Sequence, residues 1–240
     1  VRPLALELFA GEGGATRGLM AAGFNVVAVD IKTTVRQYNP ARHVVAGRDW
    51  RTAATAYRDL VNFDLVWASP PCQRYSHGTV AGHAHKHPDL IGEVRDYLLD
   101  WGVPFVLENV ERAPLRHDAV LCGASFGLTA NDGERDLYLR RHRIFEAHGF
   151  ELWNPPRCSC RDYEARGYVC GGVYGGARSD YDEARNVRKG GYVPKDRRVR
   201  EQLLGLPPDA MTLKGMDECI PPVFATWIAE QFLASREAVA

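Results

Sequence analysis

Three groups of residues in this chain have types and spacings that can do chemistry. The first is Asp64-Leu-Val-Trp-Ala-Ser-Pro-Pro-Cys-Gln-Arg-Tyr-Ser76. Its apolar run, Leu65 to Ala68, stops at Pro70-Pro71, and Cys72 and Gln73 follow at once. Proline cannot continue a central strand, so the chain must turn there. A packing cysteine would sit inside the run; Cys72 is instead presented on a stiff loop at a strand end. The second group is Phe9-Ala-Gly-Glu-Gly-Gly14, with Asp30 following the next apolar stretch. Glycines let a backbone approach a ligand closely, and a helix start favours polar or anionic groups. A carboxylate about 20 residues on, at the end of the next strand, can hydrogen-bond ribose hydroxyls. Asp49-Trp50 adds an acid able to accept from an adenine amino group and an indole able to stack on its ring, although Trp50 serves equally well as a packing residue. The third group is Glu108-Asn109, which ends the apolar run Val103–Leu107. A thiolate nucleophile and a carboxylic acid beside a nucleoside site point to attack on an electron-poor ring.

These groups require elements to hold them. Leu4–Phe9 reads as a short buried strand, Gly11–Gly14 as a tight turn, and Ala15–Ala22 as a helix closed by Gly23. Asn25–Val29, His43–Ala46, Asp64–Ala68 and Val103–Leu107 read as further strands. Thr52–Leu60 and Pro88–Trp101 read as helices. Strands alternating with helices predict an α/β fold, a doubly wound, mostly parallel sheet covered on both faces. In such a sheet the loops at the carboxyl ends of the strands form the binding crevice. If the strands before Cys72 and Glu108 are neighbours, both face one pocket beside the glycine turn. From about Pro155 to Pro194 the sequence loses its long apolar period and reads as a loop-rich lobe, after which Val199–Leu206 and Val223–Leu233 read as closing helices. The predicted organisation is 1–147 for catalysis and cofactor, 148–196 for a small recognition lobe, and 197–240 for helices returning to the first unit.

Net charge is zero, but its distribution is uneven: residues 135–200 hold 15 Lys/Arg against 9 Asp/Glu. A basic segment beside an acidic body fits one polyanion-facing side, and a solvated charged surface is the plain alternative. No apolar run approaches the ~18 residues of a membrane span. Val1-Arg2-Pro3 leads straight into a strand, so no signal peptide is expected, and six scattered cysteines fit free thiols in a reducing cytoplasm.

Leu6-Glu-Leu-Phe-Ala-Gly-Glu-Gly-Gly14, Pro71-Cys72-Gln73, Glu108-Asn109-Val110 and Arg141-His-Arg143 resemble, in order and spacing, motifs of the DNA cytosine-5 methyltransferases, in the compact form found among phage and bacterial modification enzymes. The resemblance spans residues 4–145 and resumes weakly at 197–233. It implies a Rossmann-like fold dependent on S-adenosylmethionine and methyl transfer to C5 of cytosine in double-stranded DNA. The target base would be flipped from the duplex, and Cys72 would attack its C6. Glu108, held protonated, would hydrogen-bond N3, while Arg143 and Arg141 would contact the base oxygen or a phosphate. Phe9, Ala10, Gly11, Gly13, Gly14, Asp30, Ile31, Asp49, Trp50 and Pro70 would hold the cofactor, and Pro71, Gln73, Ser76 and Asn109 would line the substrate side. The histidine-bearing stretch from Gly78 to His87 reads as a lid that closes on DNA rather than a metal site. A monomer is expected, with a restriction endonuclease as a possible partner in restriction–modification.

The chain departs from the family pattern in places. Leu139 stands where the family often has glutamine, Tyr75 where it often has phenylalanine, and Asp217-Glu218-Cys219-Ile220-Pro221-Pro222 where it has Gly-Asn-x-Val-Pro-Pro. The last change falls on a stretch that helps line the family's cofactor pocket. Cys158-Ser-Cys160 and Cys170 could meet zinc with His148 or His142, but a zinc site needs four well-placed ligands, and no metal is expected. Tyr163, Tyr168, Tyr174 and Tyr181, interleaved with arginines, suit either a DNA-facing surface or the packing of a small lobe. The competing readings are an RNA (tRNA) cytosine-5 enzyme on the same scaffold, a non-catalytic DNA-binding or regulatory paralogue, and a nicotinamide oxidoreductase. The paralogue needs a damaged catalytic set. The oxidoreductase would show Gly-x-Gly-x-x-Gly and explains neither Pro-Pro-Cys-Gln nor Glu108-Asn109.

Overall fold

The structure, a computed structural model, describes residues 1–76, 79, 83–174, 181–182, 187–188 and 192–237. Its architecture follows from side-chain alternation in β1 (Leu4–Leu8). Ala5 belongs to the apolar cluster on one face of the sheet, Leu6 and Leu8 to the cluster on the other, as successive residues of a strand must. β1 pairs in parallel with β2 (Asn25–Asp30) and β4 (Leu65–Ala68). Outside these lie β3 (His43–Ala46), parallel to β2, and β5 (Phe105–Asn109), parallel to β4. β6 (Ala119–Leu121) and β9 (Arg143–His148) complete the sheet, with β9 antiparallel to both β5 and β6 and the order β3-β2-β1-β4-β5-β9-β6. One face is covered by α1 (Gly14–Ala21) and α7 (Pro222–Glu237), through Leu19, Phe224, Ile228 and Phe232. The other is covered by α2 (Trp50–Arg58) and α3 (Ile91–Trp101), through Ala53, Ala54, Ile91, Val94 and Leu98. Strands buried on both faces explain the continuous apolar runs of the sequence. α1 and α7 touch at Gly18, where a Cβ would overlap the Pro222 carbonyl oxygen.

A second sheet, order β10-β8-β7, is built from β7 (Thr129–Asn131), β8 (Asp136–Leu139) and β10 (Val169–Gly171). Leu137 and Leu139 of β8 share a core with Val199, Leu203 and Leu204 of α5 (Arg197–Leu204) and Met216 of α6 (Leu213–Glu218). The expected boundary at 147/148 therefore does not enclose the smaller core: residues 129–139 and 197–216 supply most of it, because the apolar face of β8 needs α5 to cover it. The stretch 148–196 contributes β10 and α4 (Cys160–Ala165). Tyr163 and Tyr168 pack edge to face in this region, and Tyr163 stacks on buried Tyr138, so these two serve packing. The Tyr181 side chain and Gly78, Val80, Ala81 and Gly82 of the expected lid lie outside the described residues. No helix among the described residues is long and apolar enough to cross a membrane.

Beneath the glycine turn lies a buried carboxyl. Glu7, 2% exposed, accepts a hydrogen bond from the Thr16 hydroxyl, which accepts in turn from Asn39 Nδ2 at 2.9 Å. Burial pushes the Glu7 pKa from 4.5 up to about 8. The folded chain thus keeps a proton that the unfolded chain releases near pH 4.5. The resulting stability is fully present below that pH and is lost as pH rises through about 8, on the order of 5 kcal/mol in all. A Glu7→Gln variant keeps the acceptor for Thr16 without the titration. Thermal melts at pH 5, 7 and 9 should show the wild-type chain losing stability relative to the variant as pH rises; parallel curves would refute the assignment.

Candidate active site

β1, β2, β4 and β5 end on one edge of the sheet, and the chemistry-bearing residues gather there. On the nucleoside side, Phe9 leaves β1 with φ of 60° and Gly11 follows at 52°. Positive φ is unusual for a bulky residue and marks a backbone held by its surroundings. Asp30, at the end of β2, supplies that hold: its Oδ2 accepts from Gly11 N and its Oδ1 from Lys32 N, each at 2.8 Å. Ala10 is buried and its amide donates to Val29 O at 3.0 Å. A side chain on Gly11 would meet nothing within 4 Å, so the turn faces open space on this side. A Cβ on Gly13 would lie 2.6 Å from Pro40 Cδ, and one on Gly14 would lie 2.6 Å from Ile220 O. The altered stretch Asp217–Pro222 therefore keeps its place against the glycine turn. Glu218 reaches across to Lys32, 2.6 Å away, beside Ile31, whose side chain is 70% exposed. An exposed apolar residue next to a ribose-type carboxylate, with open space over a glycine turn, fits a nucleoside cofactor.

Asp49 caps α2, its Oδ1 accepting from Arg51 N at 3.0 Å and Thr52 N at 3.3 Å. This cap starts the helix at Trp50, two residues before the sequence expectation. Trp50 is 5% exposed, packs on Phe9 and Tyr97 at ring separations of 6.0 and 5.6 Å, and carries the Arg51 guanidinium over its ring. The indole thus backs Phe9 from the core side of the glycine turn.

On the catalytic side, Ala68 of β4 pairs with Leu107 of β5, so the loops carrying Cys72 and Glu108 leave neighbouring strands. Asn109 Nδ2 donates to Pro70 O at 2.9 Å, tying the Pro-Pro-Cys loop to the end of β5. Pro70 is thus buried scaffold, with Pro71 and Cys72 half-buried beside it. The loop continues through a turn, Tyr75 N to Cys72 O at 3.0 Å, and Arg74 fastens it to Asp89 at 3.5 Å. Gln73 is exposed, and Ser76 half-buried, on the far side of that turn. Glu108 is buried, and Arg143 Nε lies 3.2 Å from its Oε1 because β9 enters the sheet beside β5. Burial raises the Glu108 pKa; the charge of Arg143, a hydrogen bond with Ser69 and the charge of Arg141 oppose it. Burial likewise pushes the Cys72 thiol up, with the Arg143 charge the strongest opposing influence. Desolvation thus favours a neutral acid at Glu108 and an unionised thiol at Cys72, and the arginine field restrains both shifts.

Arg141 is held by the backbone around it while its charge still reaches Glu108 and Cys72. It is 6% exposed; its Nη1 donates to Val173 O and its Nη2 to Asp217 O at 2.8 Å. Two of its nitrogens are thereby committed to backbone carbonyls, and it ties residues 173 and 217 to the start of β9. The buried Nε of Arg141 has no hydrogen-bond partner, and Arg143 is the arginine that meets the acid. Sequence reasoning also missed Glu12 and Arg17. Glu12 accepts from Thr212 N and Oγ1, at 2.6 and 2.8 Å, and Arg17 donates to the carbonyls of Glu12, Gly13, Tyr38 and Ala210. Together they bind the glycine turn to the C-terminal segment. Glu12 lies in the turn and Arg17 in α1, and no local signal marks either, since charged residues are equally at home on a solvated turn or helix face.

The family model for C-5 cytosine-specific DNA methylases matches residues 5–119. No curated protein matches the chain. Among solved structures, the S. pombe Dnmt2 methyltransferase aligns over 97% of this chain and 99% of its own, with 14% identity and a TM-score of 0.60. A candidate DNA modification methyltransferase encoded within an E. coli prophage aligns over 98% and 99%, with 13% identity and a TM-score of 0.58. The Entamoeba histolytica methyltransferase EhMeth covers 98% of both chains, with 11% identity and a TM-score of 0.59. At such identities the likeness establishes the methyltransferase fold and nothing finer. Over residues 5–119 the chain is similar to the C-5 cytosine-specific DNA methylases, and that match covers the glycine turn, Cys72 and Glu108, which the fold gathers on one sheet edge.

Proposed function

We propose that this chain methylates C5 of cytosine in double-stranded DNA through a covalent bond between Cys72 and C6 of a base flipped from the duplex. The observation that carries the reading is the convergence of Cys72, Glu108 and Arg143 on one strand edge beside the glycine turn. Phe9, Gly11, Asp30, Ile31 and Asp49 would hold S-adenosylmethionine, which when bound supplies an electrophilic methyl group. Cys72 releases its proton to water, and the thiolate sulfur forms the bond to C6 while the C5=C6 double bond opens toward C5. Glu108 donates its proton toward N3, so that the ring becomes a neutral enamine rather than an anion. Arg143 holds Glu108 in place and stands ready for the base carbonyl oxygen. Once C5 is methylated, N3 returns its proton to Glu108, C5 releases its proton to water, and expulsion of the Cys72 thiolate restores the aromatic ring and frees the enzyme. Asn109 and Pro70 keep the thiol loop in register with the acid. The enzyme would act as a monomer in the cytoplasm, with the second sheet and the basic stretch 135–200 facing DNA.

Bisulfite sequencing of DNA from cells expressing the chain tests this directly. Protected cytosines in a fixed sequence context are the expected result. Label from S-adenosylmethionine appearing in tRNA and never in DNA would replace this reading with that of an RNA enzyme.

A further inference from the structure

Outside the catalytic edge, four potential metal ligands from three separate parts of the chain meet at one point. Cys122 follows β6, His142 precedes β9, and Cys158 and Cys160 bracket Ser159 at the start of α4. One ligand atom from each, all within 4.8 Å of one another, makes a Cys3His set. The Cys122 and Cys160 sulfurs are 3.4 Å apart, and His142 Nε2 is 3.3 Å from the Cys158 sulfur. Zinc bonds of about 2.3 Å to sulfur and 2.0 Å to nitrogen place tetrahedral ligands roughly 3.5–3.8 Å apart. The cluster is already near that spacing.

The surroundings are those of a built site. The free ring nitrogen of His142, Nδ1, faces Glu111 Oε2 at 3.6 Å, the carboxylate–imidazole arrangement that orients metal-binding histidines. The Ser159 hydroxyl donates to Ala124 O at 2.7 Å, holding the Cys158–Cys160 loop against the segment that carries Cys122. His142, Cys158 and Cys160 line a cleft of about 640 Å³ that gives an ion a way in. Three thiolates and a neutral imidazole around a dication carry a net single negative charge. The same cleft carries Arg140, Arg157 and Arg161 against Asp162 and Glu164, one positive charge in excess. The expected alternatives fall away: His148 stacks on Phe105 at 4.3 Å and pairs with Glu146 at 2.8 Å, and Cys170 lies in β10 outside the cluster.

We propose that Cys122, His142, Cys158 and Cys160 bind one zinc ion as a structural centre. The site is closed by four protein ligands and leaves no position for substrate, so its work is architectural. It joins the loop before α4 to the residue between Arg141 and Arg143, and the Arg143 Nη1 donates to His142 O at 2.8 Å. The metal thereby fixes the backbone from which Arg143 reaches Glu108. The inference rests on ligand geometry and stands whether the substrate is DNA or RNA.

The test uses the tag-free 240-residue chain, purified anaerobically with reductant. Elemental analysis should find about one zinc per chain. Reconstitution with Co2+ should give sulfur-to-cobalt charge transfer and the intense visible bands of a tetrahedral thiolate site. Cys158→Ser, at an exposed ligand position, should lose most of the zinc while keeping its far-ultraviolet circular dichroism; Cys170→Ser should retain it. A wild-type chain that binds neither metal stoichiometrically would overturn the proposal. So would a Cys122–Cys160 disulfide in the anaerobic protein, or zinc lost from Cys170→Ser but kept by Cys158→Ser.

Discussion

Replacing Cys72 with alanine should lower methyl transfer by at least about a thousandfold, roughly 4 kcal/mol of transition-state stabilisation, because no other group can form the bond to C6. The fold should not change, since Cys72 is half-buried on a loop whose register comes from the bond between Asn109 and Pro70. Cofactor affinity should also stay close to wild type, as Asp30 and the glycine turn are held by their own hydrogen bonds. Two measurements separate these effects. Single-turnover transfer of label from S-adenosylmethionine reads the chemistry, and denaturing electrophoresis with 5-fluorocytosine-containing DNA reads the covalent bond. Wild-type chain should give a stable adduct and the Cys72→Ala variant none. Persistence of the adduct in the variant would remove Cys72 from the mechanism.

The second large effect is expected at Glu108. A Glu108→Gln variant keeps shape and a carbonyl acceptor for Arg143 but has no proton to give to N3. The rate of transfer should fall by about 10²- to 10⁴-fold, the usual worth of a positioned general acid. Burial raises the Glu108 pKa, so the protonated form survives to higher pH than in a free carboxyl. The sign is therefore definite: Glu108 contributes activity below its raised pKa and loses it as pH climbs through that value. The wild-type rate should carry a descending alkaline limb from this group, and the variant should lack that limb. Single-turnover rates across pH check both points. A variant within about threefold of wild type, with an unchanged profile, would show that the acid does not act in the rate-determining chemistry.

Much of the sheet was legible because its strands are buried on both faces. Runs such as Leu65–Ala68 and Val103–Leu107 have to be apolar throughout, and the prolines and glycines that end them are equally plain. β6, β7, β8 and β9 were not anticipated. Their runs are short or broken by charges, as in Asp136–Leu139 with Arg135, Arg140 and Arg141 around it. α6 was missed for a similar reason, being six residues with Lys214, Asp217 and Glu218 among them. At the site, the fold places Phe9, Asp30, Cys72, Glu108 and Arg143 along one sheet edge. It buries Trp50 and Arg141, and an indole or a guanidinium can each either meet a ligand or fill the interior. Nothing in the local sequence separates the two outcomes.

The sequence by itself determined the chemistry available. A presented thiol, an acid at a strand end and a glycine turn with its carboxylate are local features, written by residues that must be near one another along the chain or at the ends of strands. The tertiary structure alone decided the assignments that depend on meeting across distance. It turned Arg141 toward the carbonyls of residues 173 and 217, closed Trp50 behind Phe9, and gave β8 its cover from α5. It also brought Cys122 and His142 to Cys158 and Cys160 while leaving Cys170 aside. Ligand spacing along the chain carries no information about four groups drawn from three elements. Only the packing of β6, β9 and α4 around one point sets their separation.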